Sequence, residues 1–111
     1  MKTRVALTVM IALLFGSSLS MGQQGAAQAG KASYDKQCAT CHGADGTAKE
    51  PIAKMLKVEI KHLGSKEVQA KSDADLRKVI TEGYGKMKAV KTLADKDAAN
   101  VIAYVRTLTQ K

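Results

Sequence analysis

Apolar residues recur at a helical spacing in the second half of the chain. Leu76, Val79 and Ile80 fall at i, i+3 and i+4, which places them on one face of a helix. Ser72 precedes this run as a candidate N-cap, and acidic residues in the first turn favour the same end of the helix. Gly83 follows the run, so the pattern predicts a helix that begins at Ser72 and ends at Gly83.

A second helical pattern occupies the C-terminal region, from about Ala94 to Thr109. Thr92 is the candidate N-cap, and acidic residues again lie in the predicted first turn. The predicted buried stripe consists of Val101, Ile102, Tyr104, Val105 and Leu108. No segment alternates cleanly between apolar and polar residues at period two, so the sequence predicts an all-α fold.

The region before Ser72 has a less regular pattern. A short helix is predicted from about Lys31 to Cys41, with Gly43 suited to its C-terminal end. Pro51, the only proline, breaks any helix that enters the long stretch 45–71. We expect a further helix or turn within 52–63, because long irregular connections are uncommon in compact domains unless they serve a function.

The N-terminus has the pattern of an export signal. Two basic residues precede an uncharged apolar run over 5–15, and small and polar residues follow it. The run is short for a membrane span, which needs about 20 apolar residues, and an uncleaved anchor is the alternative. We predict a signal peptide over 1–22, a flexible leader over 23–30 and one domain over 31–111. Cleavage fits after Ser20, Gly22 or Ala29, so its position between 20 and 30 stays open.

The composition indicates one small basic domain. The 111 residues carry a formal net charge of +8, and lysines are scattered along the chain. Basic proteins often bind nucleic acid, but the export signal argues against that function, and a positive surface favours acidic protein partners. After the signal the only aromatic residues are Tyr34, Tyr84 and Tyr104. Such a core lacks large flat groups, and a bound macrocycle would supply one.

The segment Cys38-Ala39-Thr40-Cys41-His42 is the main chemical motif. Two thiols three positions apart can each bond to the same haem, and the histidine that follows is then held against the iron. Haem attachment of this kind takes place in the exported compartment, which agrees with the predicted signal. The motif therefore predicts one covalently attached haem c, held by Cys38 and Cys41 with His42 as an axial ligand.

Three other functions of the cysteine pair are open. A dithiol redox site normally begins a helix within a βαβ unit, and the pattern predicts no such unit. A structural zinc site needs four ligands, so His62 would have to complete the two cysteines and His42. A structural disulfide between Cys38 and Cys41 would close a very short loop and stabilise little.

The chain after Gly30 resembles the small class I cytochromes c of bacteria. The resemblance depends on these segments: Tyr34, 38–43, Asp45-Gly46, 76–85, Lys86-Met87 and 103–105. It implies a cytochrome c-like fold of three to five short helices around one covalent haem. In that family the first and last helices cross beside an aromatic residue, and Tyr34 and Tyr104 are similar to that contact.

The resemblance also implies a second axial ligand and a supporting hydrogen bond. Met87 follows two glycines in a loop similar to the one that carries the family's methionine ligand, and a thioether raises the reduction potential. Met55 and His62 are the rival ligands. Lys88 stands where family members often have proline, which leaves the loop less stiff. Pro51 resembles the proline whose carbonyl accepts a hydrogen bond from the proximal histidine, although it also suits a helix start.

These expectations together describe an exported, periplasmic electron carrier and not an enzyme. Its partners are redox proteins with acidic surfaces, toward which Lys86, Lys88 and Lys91 would orient the haem edge. We expect a monomer that binds no nucleic acid and has no membrane span once the signal is removed. The alternatives are a five-coordinate haem protein that binds small ligands or peroxide, and a thiol redox protein without haem.

Overall fold

The computed structural model describes residues 19–109. Residues 1–18, the greater part of the predicted signal peptide, lie outside the described residues. The described part of the chain contains six helices: α1 Leu19–Gln37, α2 Ala39–His42, α3 Glu50–Leu56, α4 Lys66–Gln69, α5 Asp73–Glu82 and α6 Asp95–Thr107. Over 19–109 the extended pairing is limited to one isolated bridge, Tyr84 with Met87. The all-α prediction is confirmed, although the helices outnumber the three to five expected.

The crossing of α1 and α6 forms the centre of the core. Tyr34 on α1 and Ala98 on α6 are fully buried, and Val101 and Ile102 are nearly so. Gly30 allows the close approach, because a Cβ on this residue would overlap the backbone carbonyl of Asn100. Only seven apolar side chains are buried among the described residues, so the core of the polypeptide alone is small.

The predicted flexible leader over 23–30 is wrong, because these residues form part of α1. Glycine, alanine and glutamine in this stretch produce no clear apolar stripe, which is why the sequence pattern does not predict the helix. The helix is stabilised by packing, since α6 is its main contact and Gly30 is buried there. The same prediction placed the start of the first helix near Lys31, about three turns after its observed start at Leu19.

Helix α5 has the ends that the sequence predicts. The Ser72 hydroxyl accepts a hydrogen bond from the Asp75 amide at 3.1 Å, and Gly83 ends the helix with φ +82°. Helix α6 differs from the prediction at its start. Its N-cap is Ala94 and not Thr92, and no side chain caps it, so acidic residues in the first turn are the favourable feature at that end.

The stretch 45–71 contains two short helices and is fastened to α6. The Gln69 side-chain amide donates to the carbonyls of Leu63 and Val105, at 2.9 and 3.0 Å. The Arg106 guanidinium donates to the Gln69 carbonyl and to the Asp73 carboxylate, at 2.9 and 2.7 Å. These bonds fasten the long connection to the last helix. None of the helices within 19–109 is long and apolar enough to cross a membrane.

Candidate cofactor site around His42

Cys38, Cys41 and His42 lie together on one turn at the end of the first helical segment. Cys38 is the N-cap of α2, and its carbonyl accepts bonds from the amides of Cys41 and His42, at 3.2 and 3.0 Å. Residues three apart on a helix share a face, so the two thiols lie one above the other with the imidazole directly after them. Both cysteines are half-buried and free, so the structure contains no disulfide between them.

The environment of Cys38 disfavours thiol redox chemistry. Its side chain packs against the main core cluster, and this burial raises the pKa of the thiol to about 11. A dithiol redox site needs a lowered thiol pKa, because the thiolate is the nucleophile. The burial of Cys38 therefore favours its neutral thiol form.

The His42 ring has a buried nitrogen with no partner. Among the side chains described, those of residues 24–109, its Nδ1 is the one buried nitrogen or oxygen that forms no hydrogen bond. Burial also lowers the pKa of His42, which favours the neutral imidazole that binds metals. A buried polar atom without a partner is costly and marks a place where another group is expected to interact with the ring.

The hydrogen bond expected between His42 and the Pro51 carbonyl is not formed in the structure. Pro51 is exposed and is the second residue of α3, as the alternative prediction placed it. Carbonyls in the first turn of a helix point along its axis toward the amides four residues on, and not toward a neighbouring ring.

Two tyrosines position the loop that follows His42. The rings of Tyr34 and Tyr104 lie 4.9 Å apart at the helix crossing, which confirms the contact that the resemblance implied. The Tyr34 hydroxyl donates to the Gly43 carbonyl at 2.6 Å, and the Tyr104 hydroxyl donates to the Ala44 carbonyl at 3.0 Å. The crossing of α1 and α6 therefore also determines where the chain leaves His42.

Gly43 has a backbone conformation that this loop requires. It ends α2 at φ +74°, and a Cβ on it would overlap the Thr47 carbonyl. Sequence analysis identified Gly43 only as a helix end. The hydrogen bonds of the two tyrosines span nine and 60 positions of the chain, beyond the few residues over which a local sequence pattern acts.

Met87 lies at the end of a tight turn that links α5 to α6. Tyr84 and Met87 exchange two backbone hydrogen bonds, at 2.9 and 2.8 Å, and Gly85 adopts φ +55° between them. A Cβ on Gly83 would approach the Met87 carbonyl to 2.7 Å, so a glycine is required there. The turn is thus held by its own hydrogen bonds, although Lys88 replaces the proline of the family pattern.

The rival ligands have different environments. Met55 on α3 has 69% of its surface exposed, whereas Met87 is half-buried. His62 is half-buried, and its Nδ1 accepts a hydrogen bond from the Gly64 amide at 2.8 Å. The Nδ1 atom of His62 is therefore already engaged in a hydrogen bond within its own loop. Within 19–109 no group of three or more His, Cys, Asp or Glu residues is arranged to hold a metal ion, as the zinc alternative would require.

Lys86, Lys88 and Lys91 are all exposed around the turn that carries Met87. None of them forms an ion pair with a residue that the structure describes. Tyr84 lies among them with 78% of its surface exposed. The turn therefore presents an aromatic ring surrounded by unpaired positive charge.

The residues around His42 fit a covalently held haem. The donor set is two free thiols on one helical turn and a neutral imidazole with an unpartnered buried nitrogen. The small apolar core agrees with a fold that is completed by a large apolar group. Cys38 and Cys41 would hold such a group through sulfur, and His42 would bind its iron.

Comparison with known proteins finds a family match. The family described as cytochrome c oxidase, cbb3-type, subunit III, matches residues 25–105. This range covers most of the chain and includes the two cysteines, His42 and Met87. Among curated proteins there is no significant match.

Proposed function

The chain belongs to the family described as cytochrome c oxidase, cbb3-type, subunit III, and from this membership we propose that it is an exported monohaem c-type cytochrome that carries single electrons. A cytochrome c domain supports a haem-based electron-transfer role. The finer proposal depends on one observation, the free thiol pair on one helical turn beside the neutral, half-buried His42.

Four residues of this chain have distinct roles in the proposed haem binding. A bound haem c supplies a couple between ferric and ferrous iron. Cys38 and Cys41 would fix the group covalently, and His42 would supply a nitrogen ligand to its iron. Met87, on a turn that is distant from His42 in sequence and held by its own hydrogen bonds, would supply a soft thioether as a second ligand. If His42 and Met87 both bind the iron, no coordination position is left for a substrate, so the proposed role is electron transfer and not catalysis.

The proposal is tested on the exported protein, produced in a host that attaches haem to such chains. We expect one haem for each chain by a pyridine haemochrome spectrum, and an intact mass that keeps the haem after denaturation. A redox titration should show a single reversible one-electron step. A colourless protein with the mass of the bare polypeptide would overturn the proposal.

We expect Met87→Ala to remove the weak band near the red end of the ferric visible spectrum that marks a methionine–iron bond. The reduction potential should fall as well, because the thioether stabilises the ferrous state. Met55→Ala is the matched control, since Met55 is exposed and should leave band and potential unchanged. A wild-type spectrum without the band would instead support the five-coordinate alternative, in which the iron binds small ligands or peroxide.

We propose that Lys86, Lys88 and Lys91 orient the protein toward an acidic redox partner. All three are exposed and free of ion pairs within the described residues, and exposed charges near a contact mainly raise the rate of association. Changing the three to glutamate should remove the slowing of electron transfer by salt, measured by stopped-flow with an acidic partner at several ionic strengths.

The control for this experiment has the same change in net charge at another place. Lys36, Lys66 and Lys96 are exposed, are also unpaired in the described chain, and lie on α1, α4 and α6. Their replacement by glutamate should weaken the salt dependence much less. Equal effects of the two triple variants would show that only net charge matters and would exclude docking at this turn.

A further inference from the structure

The N-terminal part of α1 is packed and not merely helical. Ala26 and Ala27 are half-buried and Gly30 is buried, whereas Gly25, Gln28 and Ala29 are exposed. Covered positions thus recur about every four residues and continue to the fully buried Tyr34, as on one face of a helix. The element that packs against α1 is chiefly α6. Residues 26 and 27 therefore belong to the same packed face as the helix crossing.

Cleavage after Ala29 would place a chain terminus at the crossing itself. Gly30, which is buried, would carry the new α-ammonium against the backbone of Asn100. A charge at a buried position loses its hydration, which is unfavourable. The helix would also shrink to 30–37, too short to be stable without strong packing.

Cleavage before residue 24 avoids these costs. A chain that begins at residue 23 has its ammonium about 10 Å along the helix from Gly30, given the rise of each helical residue. Residues 26 and 27 then remain to cover α6. The family match gives independent support, because it begins at residue 25 and so includes this turn.

We infer that export processing cleaves the chain after Ser20 or Gly22, and that residues 23–29 stay in the mature protein as the first two turns of its packed helix. Small residues stand at the first and third positions before both bonds, as signal cleavage requires. The inference rests on the proposed export of the protein. It excludes cleavage after Ala29, although Ala27-Gln28-Ala29 also has small residues at the first and third positions before the bond.

Intact mass of the exported haem protein tests the inference directly. We expect a mature chain that begins at residue 21 or 23, both in the wild type and in Ala29→Gln. Ala29 is exposed, so glutamine fits in the folded protein, but it removes the small residue needed for cleavage at that bond. A chain that begins at Gly30, a chain that keeps residues 1–22, or failure of Ala29→Gln to be processed would each overturn the inference.

A deletion variant tests the structural half of the inference. Joining residue 22 directly to Gly30 removes residues 23–29 and keeps the cleavage site. We expect a clear fall in the urea midpoint of the mature protein, and an unchanged midpoint would show that these turns are not part of the packed domain. The haem content of each sample separates the proposed cleavage site from the proposed function. If the wild-type chain begins at Gly30 and carries haem, only the cleavage site is refuted. If the chain begins at residue 23 and carries no haem, only the function is refuted.

Discussion

Replacing both Cys38 and Cys41 with alanine should abolish covalent haem attachment. The two sulfurs lie on one helical turn beside His42 and are the only thiols in the chain, so no other residue can form the thioether bonds. The exported variant should show no haem band on a denaturing gel and only the mass of the polypeptide. Its yield should also fall, because the described polypeptide buries few apolar side chains without an added group.

The control for this experiment is His62→Ala. His62 is the only other histidine of the chain, and its Nδ1 accepts a hydrogen bond from the Gly64 amide. This variant should keep covalent haem and the wild-type spectrum, with a modest loss of stability from the local hydrogen bond, about 1 kcal/mol. Haem that survives denaturation in the double cysteine variant would contradict the proposed attachment.

Gly30→Val should cause a large loss of stability. Even a Cβ at this position would overlap the Asn100 carbonyl, and backbone atoms of α6 cannot move aside as a flexible side chain could. The helices must separate, which disturbs the Tyr34–Tyr104 contact and the loop after His42. We expect the free energy of unfolding to fall by about 3 kcal/mol, near the upper end for overpacking.

Ala32→Val provides the comparison on the same helix. Ala32 is exposed, so valine there adds bulk only toward solvent and costs about 0.5 kcal/mol of helix propensity. Urea unfolding of the two haem-loaded variants, followed by circular dichroism, measures the difference. Similar midpoints for Gly30→Val and Ala32→Val would show that the close approach of α1 and α6 is not required for folding.

Most of the helical architecture and the centre of the site could be predicted from local patterns. The cap at Ser72, the end at Gly83 and the apolar spacing between them predict α5 with its observed ends, because each signal acts within one or two turns. The cysteine pair and His42 are adjacent in sequence, so one helical turn is enough to bring them together. The start of α6 shows the limit of this reasoning. Thr92 is a good N-cap residue and Ala94 is a poor one, yet the helix begins directly after Ala94.

The sequence by itself determined the chemistry of the donor set and the all-α character, because both depend on residues within a few positions of each other. Only the tertiary structure decided that 23–30 is helical, that Gly30 permits the crossing, and that two tyrosines from distant helices hold the loop after His42. It also decided that the Pro51 carbonyl does not bond to His42 in this structure. The physical reason is that these features depend on how closely two distant segments approach, and local periodicity carries no information about that distance.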